Sequence, residues 1–241
     1  MSRSKPGAEP LPPLSAELKS GTQKQHDEAE GHGLHAVLFG SQGVAAAREA
    51  YARLLGQHLL IQESFEPLLR KAAGASGWGR VVREHHYHLA GLRDDCAVMG
   101  VTVDMLQPLP ATARFIERIE TLGRDDASGL LGVFYVFEGS TNGGTIIAMR
   151  VRELLSLHGE GGTRFINPHG QQVRPRWMEW KQGVDGLELT VEQRAAAIAG
   201  AQEAFTLSHA VLGDVAGAMT SAIGGKPQVV VLPIKAAKQT N

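Results

Sequence analysis

Apolar residues recur at helical spacing along most of this chain. Residues 45–73 carry Leu54, Leu55, Leu59, Ile61 and Phe65, with His58 and Gln62 interleaved, and the run ends near Gly74. That period predicts one long amphipathic helix. A second, more apolar run joins Leu130, Leu131, Val133, Phe134, Tyr135, Val136 and Phe137 to Glu138. Gly139-Ser140-Thr141-Asn142-Gly143-Gly144 interrupts it, and Thr145, Ile146, Ile147, Ala148 and Met149 resume the pattern. Each glycine in a helix interior costs about 1 kcal/mol relative to alanine. The pattern therefore predicts a helix broken or bent at the glycines and running to about residue 157. The missing side-chain bulk also lets a flat ligand lie close against the backbone.

The remaining punctuation predicts shorter elements. Ser15 is placed to cap a first helix over 17–30, which Gly31 and Gly33 stop. Helices are expected over 78–95 and, after Pro108 and Pro110, over 111–122, with Gly123-Arg124-Asp125-Asp126 as a turn. Residues 158–173 hold Gly159, Gly161, Gly162, Pro168 and Gly170 and read as irregular. A short helix over 175–183 and a long one over 191–219 follow. Beyond Gly224-Gly225, Val229, Val230, Val231 and Leu232 suggest a short strand or a packed tail. Neither an internal repeat nor sustained alternation is visible. The expectation is an all-α, single-domain bundle of about eight helices over 14–220. A proline-rich leader, 1–13, reads as disordered, and 221–241 reads as a tail.

Composition narrows the function. The 241 residues are 43% hydrophobic but only 5% aromatic, so Ala, Leu and Val must supply most of the core. The formal net charge is -1 and there is no basic block, which argues against nucleic acid and anionic membranes as partners. Cys96 is the single cysteine. It excludes an internal disulfide, a four-cysteine metal site and the two-cysteine covalent haem attachment, and it reads as a small packing residue. As a nucleophile it would be hindered by Asp94 and Asp95, which raise a thiol pKa. With no apolar signal core and no run near about 18 apolar residues, a cytoplasmic location is expected.

Lys19, His26 and Glu30 are spaced seven and four apart on the first helix, which puts them on one stripe. Lys19 then stands roughly 10 Å along that stripe from His26. Glu30 can reach the second ring nitrogen of His26, as an orienting partner of a metal-bound imidazole does. A second polar group contains His58, Glu63, Glu84, His85, His86 and His88. It reads as an exposed face between Arg83 and Arg93. The rival, a non-haem di-iron oxidase, needs more carboxylates at Glu-x-x-His spacing. Trp177 and Trp180 are expected to hold the short helix on the body, His32 and His35 to lie in a surface loop, and His209 to be either packed or at the surface.

Leu18-Lys19, Thr22, His26 and Ala29-Glu30 resemble the proximal helix of heme oxygenases. Tyr135 through Gly144 resembles their distal helix, and its Glu-Gly-Ser-Thr is most similar to the bacterial, phytochrome-associated branch. Arg176-Trp177 and Ala204-Phe205 also fit, so the likeness spans about 14–215. It implies haem held between the first helix and a kinked distal helix, as both cofactor and substrate. The iron ligand would be His26, oriented by Glu30. Gly139, Gly143 and Gly144 would form the distal backbone wall, with Tyr135 on the same helix and Phe205 lining the distal pocket. Lys19 would bind one propionate, and Arg176 or Lys181 the other. With O₂ and electrons from a ferredoxin or flavoprotein reductase, the products would be biliverdin, CO and Fe²⁺. A phytochrome would be a possible recipient of the biliverdin.

Three departures bear on activity. Many family members carry an aspartate after the first distal glycine, where it holds the water that delivers protons; Ser140 stands there. Asn142 replaces a common serine, and Gln23 replaces a basic residue four positions after Lys19. Ser140, Thr141 and Asn142 bind water, but none is an acid near neutral pH. The alternative to an enzyme is therefore a non-catalytic haem-binding protein on the same scaffold.

Overall fold

The apolar run with the glycine interruption forms a single 28-residue helix, α6 (Ser128–Leu155). It crosses the C-terminal helix α8 (Val191–Ala222) backbone to backbone. A Cβ added at Gly132 would lie 2.0 Å from the Ala197 carbonyl oxygen, and one at Gly200 would lie 2.3 Å from that of Gly129. The computed structural model describes residues 11–222 except 31, 76, 126 and 160. Among them are six further α-helices: α1 (Leu14–Glu30), α2 (Leu34–Leu38), α3 (Val44–Ala75), α4 (Leu89–Met99), α5 (Pro110–Asp125) and α7 (Val173–Asp185). The described residues contain no strand, and none of these helices is long and apolar enough to cross a membrane.

Two apolar clusters hold the helices together. One joins Leu14 and Leu18 of α1 to Phe65 and Leu69 of α3, Phe115 of α5, Phe134 of α6 and Trp180 of α7. The other gathers Tyr51, Leu55 and Leu59 of α3 with Cys96 and Met99 of α4, Val151 of α6 and Val215 of α8. Helices α1 and α6 each lean on α8 more than on one another.

As expected, the glycines do not end α6, which runs on to Leu155. Ser140 Oγ donates to the Phe137 carbonyl at 2.7 Å, Thr141 Oγ1 to Glu138 at 2.7 Å and Asn142 Nδ2 to Gly139 at 2.9 Å. These bonds satisfy main-chain acceptors within the glycine segment, and such back-bonding bends a helix without breaking it. The segment 78–95 is not one helix: tight turns at Trp78–Arg80 and Glu84–His86 precede α4. Gly123 is not in a turn. It continues α5 because its bare Cα admits Leu68, whose methyls would lie 2.8 Å from a Cβ there. Ser15 lies inside the first turn of α1, and its N–H and hydroxyl both donate to the Asp185 carboxylate, at 2.8 and 2.9 Å. In the leader, the Pro12 carbonyl accepts a bond from Arg194. Residues 1–10 and the apolar segment at 229–232 lie outside the described residues.

Candidate functional site

Helices α1 and α8 run side by side in the same direction. Gly21 meets Ile198, and its carbonyl accepts a 2.6 Å bond from Gln202 Nε2. One turn further on, the His26 ring meets Phe205 edge-on with centroids 5.8 Å apart, so Phe205 packs on the expected iron ligand and not on the distal side, because α8 runs alongside α1. The His26 side chain is 48% exposed, and its Nδ1 lies 3.8 Å from the Asp27 carboxylate. Lys19 is exposed two turns earlier on the same stripe. Gln23 is bonded to Asp27 at 2.7 Å. Glu30 closes α1, and its side chain lies outside the described residues.

Tyr135 brings α6 to α1. Its ring is buried against Trp177 and Trp180, which stack with centroids 5.1 Å apart. Burial pushes the Tyr135 hydroxyl pKa up, although a hydrogen bond with Thr22 opposes that shift. Thr22 is also buried, and its own hydroxyl donates to the Leu18 carbonyl at 2.7 Å. This contact lies one helical turn from His26 on α1 and one turn from Gly139 on α6.

Gly139, Gly143 and Ile146 follow at spacings of four and three, so they share one face of α6. A Cβ at Gly139 would meet only Trp177, at 3.6 Å, and one at Gly143 would meet nothing within 4 Å. Ile146 is 62% exposed. The result is a strip of accessible main chain ending in an uncovered apolar side chain. Ser140 and Asn142 are exposed beside it.

Gly144 does not belong to that strip. A Cβ there would fall 1.6 Å from the Ile166 carbonyl oxygen, so the glycine admits the 163–167 segment instead. Of the two late cations, Arg176 is bonded to Glu179 at 3.1 Å. Lys181 Nζ lies 6.0 Å from the Trp177 ring centroid, beside Gly139.

A second polar centre sits on α6 one residue before Gly139, and the sequence does not reveal it. Glu138 is buried, with Oε1 3.0 Å from His88 Nε2 and Oε2 3.1 Å from His169 Nε2. His86 Nε2 is 3.9 Å from Oε2. Burial raises the Glu138 pKa, but bonds to His169 and His88 outweigh it and hold the carboxyl at about 2. Burial pushes His86 down to about 3, against the pull of Glu138. The expected exposed face thus splits: His86 is buried, Glu84 is exposed, and Glu63 is paired with Arg93 at 2.8 Å. His58 is separate, edge-tilted onto Phe165. Cys96 is buried, and burial followed by Asp95 and Glu63 pushes its thiol up to about 12, which removes it as a nucleophile.

The class defined by this architecture is an all-α bundle with an imidazole on its first helix and a glycine strip on a long central one. The heme oxygenase family model matches residues 12–214. A heme oxygenase of Pyropia yezoensis is 23% identical over 201 residues, covering 81% of this chain and 82% of that protein. Heme oxygenase PigA of Pseudomonas aeruginosa is 26% identical over 168 residues, covering 70% and 78%. Among solved structures, heme oxygenase-1 of the cyanobacterium Synechocystis in complex with heme aligns with a TM-score of 0.77 at 19% identity, over 88% of this chain and 96% of that one. The chain belongs to the heme oxygenase family.

Proposed function

We propose that this chain binds haem between His26 and the Gly139–Gly143 strip. There it cleaves the ring, with O₂ and electrons from a ferredoxin or flavoprotein reductase, to biliverdin, CO and Fe²⁺. When bound, haem supplies the redox-active iron and is itself the molecule consumed. The observation that carries the reading is the pairing of a half-exposed imidazole with open main chain, one turn either side of the Thr22–Tyr135 contact. The donor set fits haem: a nitrogen ligand without a thiolate on α1, and on α6 a strip where no Cβ fills the approach.

Each residue has a distinct part. His26 holds the iron from α1, and the Phe205 ring edge restricts its rotation. Gly139 and Gly143 would let the macrocycle approach the main chain, because no side chain fills the space beside them. Lys19 attracts one propionate. Lys181 suits the other better than Arg176, which Glu179 already engages. Ser140 and Asn142 spend donors on their own helix, so their oxygens remain to accept from water. Supply of biliverdin to a phytochrome, in the cytoplasm, rests on the likeness of the Glu-Gly-Ser-Thr motif alone.

The test is hemin titration followed by turnover with a reductase. One hemin per chain and green biliverdin with trapped CO are expected. The alternative, haem binding without cleavage, is favoured by Ser140 standing where an acid is common. Stoichiometric binding with no biliverdin would establish it.

A further inference from the structure

The cluster around Glu138 is built differently from the haem face and is used by none of the roles above. We propose that His88, Glu138 and His169 form a mononuclear site for a divalent transition metal. Their ligand atoms all lie within 4.8 Å of one another. The contacts of 3.0 and 3.1 Å are close to the roughly 3.4 Å between ligands that an ion needs when it holds each at about 2.1 Å. Two imidazoles and one carboxylate suit zinc or ferrous iron, whereas calcium and magnesium take oxygen ligands.

Two further observations point to an ion. First, His85 Nε2 and His86 Nε2 are both buried without a hydrogen-bond partner, beside a carboxylate that is itself buried. His86 Nδ1 accepts from the Arg83 N–H at 2.9 Å, which leaves the proton on Nε2, aimed at Glu138. Second, a cavity of about 530 Å³ opens on the cluster and is lined by His85, His88 and His169. It leaves room for water or a small ligand at the open coordination positions. Arg164 on its wall is neutralised by Asp94 at 2.6 Å.

The backbone holds these residues in place without help from a metal. Glu66 accepts from the main-chain N–H groups of His88 and Leu89, fixing the start of α4. Gly170, with φ of 51°, turns the chain just after His169. Gly144 admits the Ile166 carbonyl, which brings the same loop onto α6. The three ligands thus come from three elements, none of which supplies two.

The test uses the full, tag-free chain stripped with a chelator. Zn²⁺ is titrated against a chromophoric competitor, and Co²⁺ is followed by its visible spectrum. One tight equivalent is expected, with a Co²⁺ band typical of low coordination number and a Zn²⁺-dependent rise in Tm. His88→Ala and His169→Ala should each weaken uptake by more than 100-fold, beyond the 10–100-fold typical of losing an outer partner. His32→Ala, which alters the separate His32–His209 pair, should leave it intact. Absence of stoichiometric uptake by the unaltered protein would overturn the proposal, as would unchanged affinity in His88→Ala and His169→Ala. Failure of hemin turnover would not bear on it.

Discussion

Thr22 on α1 and Tyr135 on α6 are both buried, and their hydroxyls interact where the two helices meet. His26 and Gly139 each lie one turn further along.

Tyr135→Phe removes the hydroxyl from that contact and little else. Loss of one buried hydrogen bond costs about 1 kcal/mol. For a domain of this size, Tm should fall by about 2–4 °C. Thermal unfolding followed by circular dichroism checks this, and an unchanged Tm would mean that the bond does not hold the helices.

Gly143 and Gly144 are adjacent but should respond oppositely. Gly143→Leu places its side chain in open space and exchanges a helix-interior glycine for a better helix former, a gain of about 0.5–1 kcal/mol. Stability should hold or rise while hemin binding is lost. Gly144→Ala drives a methyl into the Ile166 carbonyl and should cost about 1–3 kcal/mol or more. Denaturant midpoints and hemin titrations on both variants separate the two roles. Normal hemin binding by Gly143→Leu would remove that glycine from the site.

His58 makes acid stability a test of the core. Its Nδ1 is sealed from water without a partner, and burial lowers the ring pKa to about 4. The unfolded chain protonates near the ordinary value of about 6.5. Its contribution is thus fully present above pH 6.5 and is lost as pH falls toward about 4, by at most about 3 kcal/mol. His58→Leu should flatten that part of the stability profile relative to the unaltered protein. Parallel profiles from pH 7 to 4 would contradict the assignment.

The long helices and the stripe holding Lys19 and His26 were legible in the sequence because helical periodicity and side-chain chemistry are local signals. The behaviour of the glycines was not. Propensity alone treats Gly139, Gly143 and Gly144 alike as breakers. The fold leaves Gly139 and Gly143 accessible and packs Gly144 against a loop more than 20 residues away in sequence. Gly123 was misread for the same reason, since its partner Leu68 belongs to another helix. The Glu138 centre was hidden because His88 and His169 are 50 and 31 positions from it. Nothing in the spacing around Glu84 and His88 indicated that His88 would turn toward α6.

The central claim is that His26 binds the haem iron opposite bare main chain. The most direct measurement is the absorption spectrum of His26→Ala with hemin, before and after adding imidazole. The histidine-ligated Soret band should be lost in the variant and return with imidazole, with turnover following it. An unchanged Soret band and unchanged turnover in His26→Ala would place the ligand elsewhere and contradict the account.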